Sequence, residues 1–538
     1  MARAANAVRP RLARARNAVR PRVARAADAV RPRLARAATA TKPQVVRLAR
    51  AAGPRLARIP RPKTAGTWQY TATAATAGLA LAASVVTAAG PWDSTGQRTA
   101  ERDRAVAQEH TGGADHDGST GTTGGAPRPA PSAASVLAAL GHTSHRVTAA
   151  PTGQGLSAVL DPLLKDAALG TRRGAVVVDA VTGKRLYGTG AGKALTPAST
   201  TKIATAVAAL SALGPDHRLT TRTALEAGTK ELVLVGGGDP TLTAHRDAEG
   251  RASLRTLARK TAAALKQRDL REVTLSYDTT LYAGSGLHPI GVNENLAPVT
   301  ALMSDEGRTD DSDSGPVIRE TDPAAQAART FAALLKDQGI GTTSPGPSKA
   351  TGRAEPLATV SSPPLSALVE RMLTESDNDI AEALARHTAV AAGERADFHG
   401  GGRAIAARLK KLGLPVSGAD FRDGSGLDRE DRITADLLTA LLVEAGDPAR
   451  PELRPALTGL PVAGFTGTLS SRYTDGAAGV VRAKTGTLTG VNTLAGTVVD
   501  QDGRLLAFAF LASGTTDKAA AQAALDRAAT ALASCGCR

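Results

Sequence analysis

The chain has 538 residues, enough for two to four domains of roughly 100–200 residues each, and a formal net charge of +16. The charge is uneven, since residues 1–67 contain eighteen Lys and Arg against one acid, Asp28, which leaves a net charge of −1 for the rest. Aromatic residues make up only 2% of the chain, so any core must be built mainly from Ala, Val, Leu and Ile. The nearly neutral remainder argues against a globular nucleic-acid-binding domain, and no specific nucleic-acid partner is expected.

Residues 1–67 form a basic tail with an eleven-residue repeat. Its copies, NAVRPRLARAR, NAVRPRVARAA and DAVRPRLARAA, begin at Asn6, Asn17 and Asp28. Each copy has a proline in its middle, which interrupts helical hydrogen bonding and argues against one continuous helix. The composition therefore predicts a solvated cytoplasmic tail that lies on anionic lipid, with nucleic-acid contact as the alternative.

Residues 68–90 form an uncharged stretch, WQYTATAATAGLALAASVVTAAG, with Trp92 just beyond its end. Its length and aromatic flanks predict a single-pass membrane anchor, with a cleaved signal segment or a buried helix as alternatives. The arginine-rich side would stay in the cytoplasm, so we expect the remainder to be extracytoplasmic, or secreted after cleavage. Residues 91–150 are rich in Gly, Ser, Thr and Pro and predict a disordered linker.

The globular region begins near Gly155. Its first apolar residues recur at helical spacing and predict an amphipathic helix that stops at Gly170. Strands are predicted over residues 175–179, 185–187, 490–499 and 505–512, and a helix over residues 516–533. Between them lie mostly helical patterns. This order predicts an α+β fold, in which an antiparallel sheet is flanked by helices.

The sequence PASTTK, ending at Lys202, runs directly into the helical sequence IATAVAAL. Ser199 therefore lies at a helix N-terminus, with Lys202 about one turn further along the same face. A serine hydroxyl is a weak nucleophile unless an adjacent base accepts its proton, which a desolvated lysine can do. Taken alone, the pattern also fits a capping serine beside a solvated lysine.

Two further motifs follow in the chain. Ser376-Asp377-Asn378 lies between two amphipathic helices, and Lys484-Thr485-Gly486-Thr487 enters a strand. Each has a purely structural explanation, as a capping turn or as a hairpin edge. The ordered set S-x-x-K, S-D-N and K-T-G, however, is the signature of penicillin-binding proteins and class A β-lactamases.

Residues 155–538 resemble the peptidase S13 family, the class C low-molecular-mass penicillin-binding proteins that act as D-alanyl-D-alanine carboxypeptidases and endopeptidases. Besides the three motifs, the resemblance includes GGGDPTL, LAPVTALMSDEGR, MLTESDNDIAEAL, DGSGLDREDRIT and LPVAGFTGTL. It implies a serine β-lactamase and penicillin-binding-protein-like transpeptidase fold. Its two parts would span residues 151–219 and 356–538, with one or more inserted domains at residues 220–355.

The resemblance also implies how the acyl-enzyme forms. Ser199 would attack the carbonyl between two D-alanines of a peptidoglycan stem peptide, and Lys202 would accept its proton. Ser376 would pass a proton to the leaving amine, while Asn378 would hold the substrate amide and Lys202. β-Lactams would acylate the same serine and act as covalent inhibitors.

The third motif is expected to bind the substrate. Lys484 and Thr485 would contact the terminal carboxylate, with Gly486 beside them. The backbone N–H groups of Ser199 and Thr487 would form the oxyanion hole. No metal and no cofactor is expected. Cys535 and Cys537, separated by one glycine, suit a local disulfide or a pair of free thiols.

Two alternatives are a serine β-lactamase and a catalytically inactive, membrane-tethered scaffold that binds peptidoglycan. Ser199 and Ser376 are 177 positions apart, further than in class A β-lactamases, and residues 404–415 contain no deacylating glutamate. A scaffold would be expected to lose motif residues, and all are present. One departure from the relatives is Asp431, which stands where a neutral amide is expected.

Overall fold

A computed structural model describes residues 151–473 and 476–537. The predicted basic tail, membrane anchor and linker, residues 1–150, lie outside the described residues. Within the described part, no helix is both long and apolar enough to cross a membrane.

The described part alternates short strands and helices. Its helices are α1 (Gly153–Leu164), α2 (Thr201–Leu213), α3 (Leu254–Lys266), α4 (Pro323–Asp337), α5 (Leu365–Glu375), α6 (Asn378–Ala392), α7 (Phe398–Lys411), α8 (Ala435–Gly446), α9 (Pro455–Thr458) and α10 (Lys518–Ala533). Its strands are β1 (Arg172–Asp179), β2 (Arg185–Thr189), β3 (Thr220–Leu225), β4 (Glu231–Val235), β5 (Glu272–Asp278), β6 (Gly341–Thr342), β7 (Gly346–Pro347), β8 (Glu355–Ser361), β9 (Val481–Leu488), β10 (Val491–Val499) and β11 (Leu505–Ser513).

Strands from both ends of the described chain form one five-stranded antiparallel sheet. The order is β2-β1-β11-β10-β9, so β1 pairs with β11 although more than 300 residues separate them. The predicted N-terminal hairpin, the predicted C-terminal pair of strands and the final helix are all confirmed. The sheet therefore brings β9, with the K-T-G motif, into the same layer as the start of the domain.

Both faces of this sheet are covered by helices. Val176 and Val178 of β1 pack on one face with residues of α2, α5, α6 and α8. The alternating residues Ala175 and Val177 pack on the other face with α1 and α10. Each large apolar side chain buried in this way contributes about 1.5–3 kcal/mol to the free energy of unfolding. The result is the α+β arrangement that the order of elements predicts.

A second sheet lies within the predicted inserted region. Strands β3 to β8 form a mixed six-stranded sheet in which β4 and β5 are parallel, and α3 and α4 pack on it around the fully buried Phe331. Its strands begin at Thr220 and end at Ser361, six residues beyond the predicted boundary at 355. The division into parts at 219/220 and 355/356 stays a prediction.

The opening helix is shorter than expected. It ends at Leu164 rather than at Gly170, because the Asp166 side chain accepts a hydrogen bond from Ala168 N at 2.9 Å and starts a separate 3₁₀ turn. At the other end of the described chain, Cys535 and Cys537 form a disulfide. The carbonyl of Cys537 accepts a hydrogen bond from Thr152 N, which joins the two ends of the described region.

Candidate active site

Ser199 lies in a 3₁₀ turn, Ala198–Thr200, immediately before α2. The turn is held from behind, because the Pro197 carbonyl accepts hydrogen bonds from Thr200 Oγ1 at 2.7 Å and from Thr493 Oγ1 of β10 at 2.8 Å. Ala198 has a positive φ of 48°, which is uncommon for a residue with a side chain. The sequence-predicted nucleophile is therefore presented on a tight turn that is fixed to the central sheet.

Two glycines allow other segments to approach this turn closely. A Cβ on Gly426, where φ is +81°, would lie 2.0 Å from the Ala198 carbonyl oxygen. A Cβ on Gly486 of the K-T-G motif would lie 2.6 Å from the Pro197 carbonyl oxygen. The side chain of any larger residue at either position would clash with these backbone oxygens. Both positions must therefore be glycine for the site to close around Ser199.

Lys202 is fully buried and its Nζ contacts three partners. It lies 3.0 Å from Ser199 Oγ, 2.7 Å from Asn378 Oδ1 and 2.7 Å from the Ser425 carbonyl oxygen. Burial lowers the pKa of Lys202 to about 8, and nearby carboxylates, Asp423 first among them, only partly oppose that effect. A useful fraction of Lys202 is therefore neutral near pH 7 and able to accept the serine proton.

A second buried lysine lies beside the S-D-N motif. Lys484 Nζ donates to Ser376 Oγ at 2.9 Å and to the Thr485 carbonyl at 2.8 Å. Burial lowers the pKa of Lys484 well below its ordinary range, and the charges of Lys202 and Arg472 act in the same direction. Ser376 directly follows the last residue of α5. Its backbone is in the left-handed region, with φ of 61°, and this conformation ends the helix. Lys484 is thus fully buried behind Ser376, which itself lines the cleft.

The remaining predicted residues complete the same site. Asn378, the first residue of α6, donates from Nδ2 to the Asn295 carbonyl at 2.8 Å. Thr485 Oγ1 donates to Thr468 Oγ1 at 3.0 Å, and Gln522 Nε2 donates to Thr487 Oγ1 at 3.2 Å. A cleft of about 490 Å³ is lined by Ser199, Ser376, Asn378, Thr485 and Thr487. The structure therefore brings the eight predicted site residues together, and the oxyanion hole stays a prediction.

The DGSGL stretch, which entered the sequence analysis only as part of the resemblance, supplies a backbone contact to the site. In the DGSGL stretch, Glu382 accepts hydrogen bonds from Gly424 N at 3.0 Å and Ser425 N at 2.9 Å. Asp423 accepts from Gly426 N at 2.6 Å. These bonds orient the Ser425 carbonyl toward Lys202. The signal that could have revealed this was the closely spaced Asp and Gly residues, which suit a loop with internal hydrogen bonds.

His288, Glu382 and Asp423 lie close enough to surround a cation. Their polar atoms already have protein partners, since His288 Nε2 lies 3.0 Å from Asp423 Oδ2 and Glu382 binds the loop amides. Hydrogen bonding to Asp423 raises the pKa of His288 in spite of burial. The cluster therefore acts as a support for the loop that contacts Lys202.

Asp431 has a simple physical explanation. Its carboxyl is fully buried, accepts from Arg422 N at 2.6 Å and shares a hydrogen bond with Asp423. Burial raises the pKa of Asp431 well above its ordinary value, and the negative charge of Asp423 raises it further. The raised pKa favours the protonated carboxylic acid, which both donates and accepts, as the expected amide would.

A serine beside one buried lysine, with a second buried lysine behind another serine, is the arrangement of a serine acyl-transfer enzyme. Comparison with known proteins agrees with this class. Residues 156–314 and 310–534 match the D-Ala-D-Ala carboxypeptidase 3 (S13) family. The chain belongs to that family, as its motifs indicate.

Individual relatives match about two thirds or more of the chain. The chain is 37% identical over 405 residues to carboxypeptidase DacB of Mycolicibacterium smegmatis. That match covers 72% of this chain and 85% of the relative. The chain is 31% identical over 434 residues to a D-alanyl-D-alanine carboxypeptidase of Actinomadura sp., covering 66% and 80% respectively. Penicillin binding protein 4 of Haemophilus influenzae, at 21% identity, has a similar fold with a TM-score of 0.57, covering 70% and 97%. The predicted α+β fold of the penicillin-binding type is confirmed.

The lowered pKa of Lys202 predicts how acylation depends on pH. With a pKa of about 8, the neutral fraction rises from about a tenth at pH 7 to about a half at pH 8, so the acylation rate should rise about five-fold. Stopped-flow measurement of β-lactam acylation between pH 6 and 9 tests this. Replacing the exposed Lys184 by Ala should leave the profile unchanged, whereas a flat wild-type profile would exclude Lys202 as the titrating base.

Asp431→Asn should stabilise the protein at neutral pH. Because the folded-state pKa of Asp431 is raised, protonation stabilises the fold fully below the unfolded value of 3.8, and this contribution is lost as pH rises through the folded value. Asparagine needs no proton, so the variant's urea midpoint should exceed that of the wild type at pH 7.5 and approach it near pH 4. Asp420→Asn, at an exposed position, is the control. A lower midpoint for Asp431→Asn at pH 7.5 would contradict a raised pKa for Asp431.

Proposed function

We propose that this chain is a serine-type D-Ala-D-Ala carboxypeptidase that acts on peptidoglycan stem peptides through an acyl-enzyme on Ser199. The observation that carries the proposal is the position of the buried Lys202 Nζ, 3.0 Å from Ser199 Oγ and with a pKa lowered to about 8. Membership of the D-Ala-D-Ala carboxypeptidase 3 (S13) family supports the same substrate class.

The first half-reaction releases D-alanine. Neutral Lys202 accepts the Ser199 proton while Ser199 Oγ bonds to the carbonyl carbon between the two D-alanines. The C–N bond then breaks, and the leaving amine takes the proton that Lys202 accepted, passed on through Ser376 Oγ, which Lys484 Nζ contacts at 2.9 Å, so that Lys202 is neutral again. The penultimate D-alanine is left as an ester on Ser199.

The second half-reaction regenerates the serine. A water molecule attacks the ester carbonyl, Lys202 again serves as the base, and the shortened peptide leaves with a new carboxylate. Each hydrogen-bond donor directed at the developing oxyanion stabilises the transition state by roughly 3–4 kcal/mol in comparable enzymes. The turn around Ser199 is held rigidly by the close approach of Gly426 and Gly486. This rigidity keeps backbone donors in a fixed position.

The intact site argues against the alternative of an inactive scaffold. Both lysines are buried at a cost in free energy and have lowered pKa values, a combination typical of functional sites, and Ser199 lines an open cleft. The family match argues against a dedicated β-lactamase. We infer that β-lactams acylate Ser199 and deacylate slowly.

Incubating the full-length chain with benzylpenicillin and measuring the intact mass tests the proposal. One stable adduct should form, should be absent from Ser199→Ala, and should persist in Ser417→Ala, which changes an exposed serine. D-alanine release from a D-Ala-D-Ala peptide should show the same dependence. An adduct without D-alanine release would favour the scaffold, rapid loss of the adduct would favour a β-lactamase, and no adduct on folded protein would overturn the serine mechanism.

We propose that residues 68–90 anchor the protein in the cell membrane, with the basic tail on the cytoplasmic side against anionic lipid and the enzyme outside. The uncharged 23-residue stretch, its Trp and Tyr flanks and the eighteen preceding Lys and Arg support this orientation.

Protease added to intact protoplasts tests the orientation. The catalytic region should be digested while an epitope at the N-terminus is protected. Recovery of the enzyme from the medium without residues 1–90 would show instead that the segment is cleaved.

A further inference from the structure

A carboxypeptidase must recognise the free carboxylate of its substrate, and the lysine expected to do so is held by buried protein contacts. Lys484 is fully buried, and its Nζ donates to Ser376 Oγ and to the Thr485 carbonyl. Its lowered pKa also makes it a poor permanent cation. The carboxylate therefore needs a second positive group on the Thr485 side of the cleft.

Arg472 occupies that position. It lines the cleft beside Thr468, Ser471, Thr485, Thr487 and Gln522, and its side chain is 15% exposed, so it is mostly desolvated yet accessible. Its charge is close enough to Lys484 to lower the pKa of that lysine. A guanidinium remains charged at every pH at which the enzyme works and matches the geometry of a carboxylate.

Asp526 of α10 fixes Arg472 from the side away from the cleft. It accepts from Arg472 Nε at 2.9 Å and also from Nη2, a bidentate pair that uses one edge of the guanidinium. Asp526 lines a separate surface depression with Tyr473 and does not line the cleft that contains Ser199. Among the described residues, none accepts a hydrogen bond from Arg472 Nη1.

The other arginines of the cleft are engaged differently. Arg308 pairs with Glu306 and Arg319 pairs with Asp379, both carboxylates being almost fully buried. These pairs lie in the part of the cleft formed by the inserted region, next to Ser314 and Pro316. Both arginines belong to the inserted region, whereas Arg472 precedes β9, the strand that carries the K-T-G motif.

We propose that Arg472 binds the carboxylate of the leaving D-alanine, together with the Thr485 and Thr487 hydroxyls, and so determines specificity for a free C-terminus. The inference rests on the proposed carboxypeptidase function and names the residue that reads its substrate. Asp526 is a positioning residue, since it holds the guanidinium without lining the cleft.

Two peptides separate this role from a structural one. The first is an N-acylated peptide ending in D-Ala-D-Ala, and the second is the same peptide with a C-terminal amide. For the free acid, Arg472→Gln should lower kcat/KM by roughly 10- to 100-fold, mainly through KM, because one charge-assisted contact is lost. For the amide, wild type and variant should agree within about two-fold. Release of D-alanine or D-alaninamide is the readout.

Three further variants sharpen the test. Arg472→Lys should recover part of the activity on the free acid, and Asp526→Asn should show a smaller loss on the free acid alone. Arg527→Gln, which removes an exposed arginine of α10 paired with Asp166, should behave as wild type.

Equal losses on both peptides would show that Arg472 only supports the fold, and no loss on either would show that the carboxylate binds elsewhere. Either result overturns the inference while the carboxypeptidase function stands. A wild-type enzyme that releases neither product would overturn both.

Discussion

The site depends on burying two lysines in one low-dielectric pocket. An ammonium group removed from water must be compensated, or it loses its proton, and here both lysines have lowered pKa values. Lys202 is compensated by the Asn378 side chain and the Ser425 carbonyl, and Lys484 by Ser376 and the Thr485 carbonyl. The partners come from distant parts of the chain, so the fold itself has to form before either lysine becomes a base.

The surrounding architecture serves to hold these partners still. The central sheet places β9 against the turn that carries Ser199, and Gly486 permits that contact. On the opposite side, Glu382 and Asp423 bind the amides of the DGSGL loop, so that its carbonyl faces Lys202. These buried carboxylates also oppose the loss of the Lys202 proton, which leaves its pKa at about 8 rather than lower. The raised pKa of Asp431 acts in the opposite sense, since it disfavours a further negative charge in this cluster.

Short-range sequence patterns predicted much of the central sheet and of the site around Ser199. The three motifs identified the residues around Ser199, and runs of strand-forming residues bounded by turns predicted four of the strands of the central sheet. The mixed sheet of the inserted region was not predicted, since its strands are short apolar runs without a distinctive period. The Ser425 carbonyl was missed because a backbone atom has no sequence signature, and Arg472 because nothing local shows which lysine or arginine faces a cleft. The raised pKa of Asp431 comes from its burial and from the charge of Asp423, and only the fold creates both.

The two kinds of cation have incompatible requirements. A residue that exchanges protons during the reaction needs a pKa near the working pH, and burial gives this to Lys202 and Lys484. A residue that binds a carboxylate needs a permanent positive charge. A lysine with a lowered pKa is neutral in a fraction of the molecules, and those molecules bind the anion poorly. Arginine does not share this weakness, because its pKa exceeds ~12. Placing Arg472 at the cleft surface and Lys484 behind Ser376 therefore separates substrate recognition from proton transfer, although both lie around Thr485.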